Sequence, residues 1–175
     1  MMATEPVTSG SGAPRFELIS DPAQISDPNV RKFLELWRAS HRDGRLPGKE
    51  FLDPLRLRFL LGSISLLEIQ NLPLRFRYRL VGTDIVQRLG MELTGRWLDD
   101  HPDKALLPVL LEGAARVYRE GKPGYCRAGI RALGEDWLLE LVAVPLLGPD
   151  GEIGYIGVGQ TFPPGKSENT ADRRS

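Results

Sequence analysis

Apolar residues recur with a helical period near the start of the chain and with a strand period after it. Val30, Phe33, Leu34 and Trp37 fall at i, i+3, i+4 and i+7, which predicts an amphipathic helix from Pro28 to about residue 43. Asp27 suits the N-cap, Pro28 the first helical position, and Gly44 the stop. A shorter helix is expected from Leu55 to Leu61, opened by Asp53-Pro54 and closed by Gly62. From Ser63 the period drops to two. Ser63–Gln70 and Leu74–Val81 read as paired strands around a turn at Asn71–Pro73, and Phe76, Tyr78 and Leu80 alternate with Arg75, Arg77 and Arg79.

A short helix fits Thr83 to Leu89, and a longer one ends at Glu120 before Gly121 and Pro123. Three further strands follow, separated by turns at Gly134–Glu135 and Gly148–Gly151. The order is helix, helix, two strands, short helices, long helix, three strands. It predicts an α+β fold: a five-stranded antiparallel sheet with helices on one face, preceded by an N-terminal helical extension. Residues 1–14 and 163–175 are polar, lack apolar anchors and are expected to be disordered tails. One domain is expected over residues 15–162.

Composition narrows the class. The 175 residues carry 23 basic and 23 acidic side chains, so no net field steers the chain toward nucleic acid or an anionic membrane. The apolar run Leu138 to Leu147 contains Glu140 and Pro145 and falls short of the ~18 residues of a membrane span. The N-terminus has neither the basic start nor the apolar stretch of a secretory signal. One cysteine, Cys126, and two histidines, His41 and His101, argue against a disulfide framework and against a cysteine- or histidine-rich metal centre. A cytoplasmic location is expected.

Specific residues accompany the order of elements. They are Trp37 ahead of Gly44-Arg45-Leu46-Pro47, Asp53-Pro54, the block Tyr78-Arg79-Leu80-Val81-Gly82-Thr83, and Gly90 with Glu92-Leu93-Thr94-Gly95-Arg96. Glu140 and Pro145-Leu146 before Asp150-Gly151 complete the set. Over about residues 28–160 the chain resembles a PAS domain, and more narrowly the stand-alone PAS family common in alphaproteobacteria. The resemblance implies the sheet-and-helix fold and a sensor or interaction module. It leaves open whether the ligand is haem, flavin, a small acid or none, because fold does not fix function.

Several motifs have competing readings. Asp99-Asp100-His101-Pro102-Asp103 is dense enough for a metal or acid–base site, but at the entry to a helix it reads as capping and turn residues. His41-Arg42-Asp43 reads as a helix end. Gly154, Gly157 and Gly159 lie inside a strand, with no helix after them, so the phosphate-loop reading fails; glycines there permit close approach of another backbone or a ligand. Arg75 to Arg79 mixes basic and aromatic residues, and edge protection explains this better than nucleic-acid binding. Cys126 reads as a core residue. The flavin-photosensor PAS class uses an Asn-Cys-Arg-Phe motif on a helix, whereas Cys126 follows Tyr125 on a strand and Cys126-Arg127 is followed by Ala128. The resemblance implies a haem histidine on the long helix, which has none; only His101 is near.

These readings predict a sensor or interaction module that binds a small molecule or a signalling protein, without catalytic residues, redox cofactor, metal, nucleic acid or membrane. The candidate ligand residues are Tyr78, Arg79, Trp97, Cys126 and Glu140. Arg79 and Glu140 are expected to pair at the inner face, or Arg79 to face a ligand acid there; the alternative puts both on the outer face, Arg79 as edge protection and Glu140 against a neighbouring strand or the first helix. A homodimer is expected through the first helix, with Phe33, Leu36 and Trp37 at its interface. The alternatives are a small enzyme of isomerase or hydratase type, with Glu140 as its one candidate acid, and a purely structural dimerisation module.

Overall fold

Period-two segments supply the scaffold of the computed structural model, which describes residues 14–163. The elements are β1 (Arg15–Leu18), α1 (Pro28–Ala39), β2 (Ile64–Gln70), β3 (Arg75–Val81), α2 (Thr83–Leu89), α3 (Leu107–Glu120), β4 (Gly124–Ala132), β5 (Glu135–Leu147) and β6 (Ile153–Thr161). One antiparallel sheet has the order β1-β4-β5-β6-β2-β3. It has six strands where five were expected. The extra one, β1, pairs Arg15 with Arg127 and Leu18 with Gly124. Four residues are too few to show a period, which is why it reads as plain chain in the sequence. The expected tails lie outside the described residues, apart from their innermost positions, Pro14 and Pro163.

Both faces of the sheet are covered, not one. On β5, Leu139, Leu141 and Ala143 pack in the core beneath α2 and α3, while Val142, Val144 and Leu146 pack in the core beneath α1. A strand buried on both sides cannot leave one sheet face to water. The near-continuous apolar run in β5 is the sequence counterpart of this arrangement.

The first helix starts as predicted. Asp27 Oδ1 accepts the Asn29 and Val30 backbone N–H groups, satisfying two of the helix's unpaired donors. Val30, Phe33, Leu34 and Trp37 are all buried against the sheet. Burial of each such side chain is worth about 1.5–3 kcal/mol, so this stripe fixes the helix to its own sheet. The Trp37 indole N–H donates to the Pro145 carbonyl at 3.0 Å. Phe33 packs edge-on against Phe51, with ring centroids 5.3 Å apart. The helix ends at Ala39, and His41 Nδ1 lies 3.1 Å from the Trp37 and Arg38 carbonyls.

Two expectations need correction here. Phe33 and Trp37 are used inside the chain and offer no dimer surface, and Leu36 is only half-exposed beside them. The second helix is replaced by single turns at Lys49–Phe51 and Arg58–Leu60. Asp53 draws the Leu55 and Leu57 N–H groups into a local turn instead. Asp103 likewise accepts from Ala105 and Leu106, which places the start of α3 at Leu107.

Candidate functional site

The α2 and α3 layer does not fill the inner face completely. A cavity of about 60 Å³ remains between that layer and the sheet. Most of its wall is apolar, including Leu67, Leu93, Leu141 and Ala114. Four polar side chains reach it: Ser65 on β2, Tyr78 on β3, Gln160 on β6, and His101 from the loop before α3. All four are buried. Among the described residues, no Asp, Glu, Lys or Arg lines the space. A buried charge without a partner costs several kcal/mol, so the cavity suits an uncharged guest.

A backbone hydrogen bond selects one tautomer of the neutral His101 ring. Its Nδ1 accepts the Asp103 backbone N–H at 3.1 Å, so the ring proton resides on Nε2. Burial holds its pKa below the ordinary histidine value, partly opposed by Asp103. The neutral ring therefore has Nε2–H as its remaining donor. Burial also raises the Tyr78 phenol well above its usual range, so it stays protonated as a second donor. The Gln160 amide can donate or accept.

Of the five residues expected around a ligand, only Tyr78 lines the cavity. Arg79 is the extra residue of a β-bulge, since Leu66 pairs with Leu80 but Leu67 pairs with Tyr78. The bulge breaks the alternation. Leu80 is consequently 48% exposed, although the period-two pattern placed it beside Phe76 and Tyr78. Arg79 is exposed and pairs with Glu68 at 3.4 Å, not with Glu140.

Trp97 lies outside the cavity, against the edge strand. Arg75 stacks on its ring at 3.9 Å, with Arg77 further off at 5.8 Å. The Gly95–Trp97 segment bonds to β3 through Tyr78 N–H to Arg96 O and Gly95 N–H to Tyr78 O, covering part of that edge. Edge protection thus accounts for the interleaved arginines.

Glu140 is fully buried but faces α1, on the opposite side of the sheet from the cavity. Its Oε1 accepts the Asp27 backbone N–H at 2.8 Å, and Arg127 Nε lies 3.9 Å from its Oε2. Tyr125 adjoins this carboxylate, and its phenol is pushed up to about 12, first by burial and then by the Glu140 charge. The structure therefore shows the outer-face arrangement of Arg79 and Glu140. It also removes Glu140 as the acid of an inner active site.

Cys126 is buried in the inner core without lining the cavity, and burial pushes its thiol up to about 12. A protonated, enclosed thiol is unreactive. Neither flavin-adduct chemistry nor haem ligation fits these residues. The cysteine is on a strand away from the cavity, and about 60 Å³ is less than half the ~150 Å³ that accommodates benzene. Among the described residues no three His, Cys, Asp or Glu side chains cluster to hold a metal. No described helix is long and apolar enough to cross a membrane.

Sequence reasoning missed Ser65, His101 and Gln160. The signal for Gln160 was present: the alternation of Ile156 and Val158 leads to it on the same face. His101 was concealed by the capping role of its acidic neighbours, which the structure does show for Asp100 and Asp103.

The fold has counterparts among solved structures. An RNA-binding light-oxygen-voltage receptor superposes with a TM-score of 0.50 at 11% identity, over 85% of this chain and 38% of the receptor. The chain thus spans well under half the length of that receptor. A fungal LOV domain photoreceptor gives 0.45 at 18% identity, over 74% of this chain and 89% of its own. A light-oxygen-voltage domain studied with a flavin analogue gives 0.47 at 12% identity, over 65% and 83%. At these identities the likeness concerns the fold. No curated protein matches the sequence. A family model described as PAS domain matches residues 25–158, which is most of the chain and nearly all of the described region. The chain belongs to the PAS domain family.

Proposed function

We propose that this chain is a non-catalytic sensory PAS module. It takes a small uncharged molecule into the inner cavity and passes the change through the sheet to α1. The observation that carries this reading is the cavity itself: an apolar space reached by Ser65, Tyr78, His101 and Gln160 and, among the described residues, by no Asp, Glu, Lys or Arg side chain. His101 and Tyr78 supply donors, so the guest carries an acceptor such as a carbonyl or ether oxygen. The volume suits only a few non-hydrogen atoms. With a ceiling of roughly 1.5 kcal/mol per atom, about four such atoms bind no tighter than tens of micromolar.

Transmission is supported by the two-sided burial of β5. Leu141 lines the cavity, and its neighbours on the strand, Glu140 and Val142, face α1. A shift of β5 on ligand entry moves the surface on which α1 rests. The test is methyl NMR of the full chain during titration with acetone, using acetate as the charged analogue. Saturable shifts at Leu67, Ala114 and Leu141 with the ketone alone support the reading. Equal response to both compounds, or no response, contradicts it.

A further inference from the structure

A second concavity lies on the other side of the sheet, beyond the C-terminal end of α1. It is a cleft of about 900 Å³, at the upper end of the range for small-molecule sites. Its apolar surface comes from Leu36, Leu46, Leu147 and Tyr155, and its charged groups are Arg42, Arg45, Lys49 and Arg56 against Asp43 and Glu50. The Glu50 carboxylate is already engaged by the Gly48 backbone N–H at 3.0 Å. Among the described residues, none of the four cations stands in an ion pair.

The walls are held by backbone bonds. Arg42 and Arg45 close a tight turn through reciprocal hydrogen bonds of 3.1 and 2.8 Å. Leu147 N–H donates to the Pro47 carbonyl at 2.9 Å, joining this segment to the end of β5. The side chains are also positioned. Arg56 Nη1 donates to Ser40 Oγ at 3.1 Å, Lys49 lies 5.7 Å from the Tyr155 ring centre, and Arg45 Nη2 reaches Gly151 of the β5–β6 turn. Gathering unpaired like charges around one concavity does not stabilise the fold, and an anion held there would relieve the repulsion. The whole chain is neutral in sum, so the positive excess is local and does not form a track for nucleic acid.

We propose that this cleft binds a small amphipathic anion, with a carboxylate or phosphate head met by Arg42, Arg45 and Arg56 and an apolar body laid on Leu36, Leu46 and Tyr155. Arginine suits both heads because its planar fork matches two oxygens at once. The site is separate from the inner cavity and lies on the other side of the sheet.

The test is calorimetric titration of the full chain with octanoate, octyl phosphate and 1-octanol. The expected result is that at least one anion binds roughly tenfold more tightly than the alcohol and weakens as salt is raised. The double variant R45Q/R56Q, checked for an unchanged circular dichroism spectrum, should lose roughly tenfold in that affinity, whereas R119Q on α3 should lose none. The tighter of the two anions identifies the head group. Equal affinity for the alcohol, no binding of either anion, or an unchanged affinity in a folded double variant would overturn the proposal.

Discussion

The Glu140 carboxylate accepts the backbone N–H of Asp27 at 2.8 Å, linking the middle of the longest strand to the start of α1. Asp27 in turn caps that helix, so one buried carboxylate fixes where it begins. Glu140→Ala leaves the Asp27 N–H without a partner and opens a void, and it should cost about 2–4 kcal/mol. Glu140→Gln retains an accepting oxygen and should cost less than about half as much. Urea melts give the stabilities. Hydrogen exchange in residues 28–39 should quicken in the alanine variant more than exchange in α3 does.

Gly159 faces the Phe33 ring, and a Cβ there would come within 2.7 Å of it. At Gly157 the fit is less tight, since a Cβ would meet Leu146 at 3.2 Å and Leu52 at 3.4 Å. The glycine-rich end of β6 therefore admits α1 and its flanking loop. Gly159→Ala should destabilise by about 1–3 kcal/mol through overpacking. Phe33→Leu introduced with it should recover part of that loss. Thermal or urea melts of the single and double variants provide the check, and simple additivity would count against the contact.

Burial lowers the His101 pKa, so the folded chain takes up a proton there less readily than the unfolded chain does. Below the ordinary histidine value of about 6.5 the unfolded state binds the extra proton, and stability falls with pH until the folded-state pKa is passed. His101→Asn should therefore flatten the decline between roughly pH 7.5 and pH 5.5, where histidine titrates. Denaturant melts at the two pH values, wild type beside variant, measure the difference.

Arg79 and Glu68 lie 3.4 Å apart with side-chain exposures of 55% and 41%. Solvent screens such a pair, and each single alanine variant should lose less than about 1 kcal/mol. A double-mutant cycle should return a coupling below that figure. A larger coupling would show that the bulge at Arg79 depends on the pair.

Much of the fold was legible in the sequence because it rests on local signals. The α1 stripe, its Asp27–Pro28 start and the strands from Ile64 onward each carry a period or a cap. What was illegible depends on partners distant in sequence. Nothing local says that α1 covers the face opposite α3, nor that Gly159 makes room for Phe33. The β3 bulge moved Leu80 outward although the alternation placed it inside. Glu140 was correctly singled out as a charge in an apolar strand, but its partner is a backbone N–H 113 residues away, which no side-chain pattern reveals. In the cavity, Tyr78 was readable from alternation, whereas His101 depends on how the loop before α3 folds back.

The most direct test of the central claim is methyl NMR of the full chain under xenon, followed by titration with acetone. An apolar enclosed space takes up xenon, and the surrounding methyl groups report it. The account predicts shifts at Leu67, Ala114 and Leu141 with xenon, saturable shifts of the same methyls with the ketone, and an accompanying shift of the Trp37 indole N–H across the sheet. Unshifted cavity methyls with both probes, or cavity shifts that leave the Trp37 indole unmoved, would contradict it.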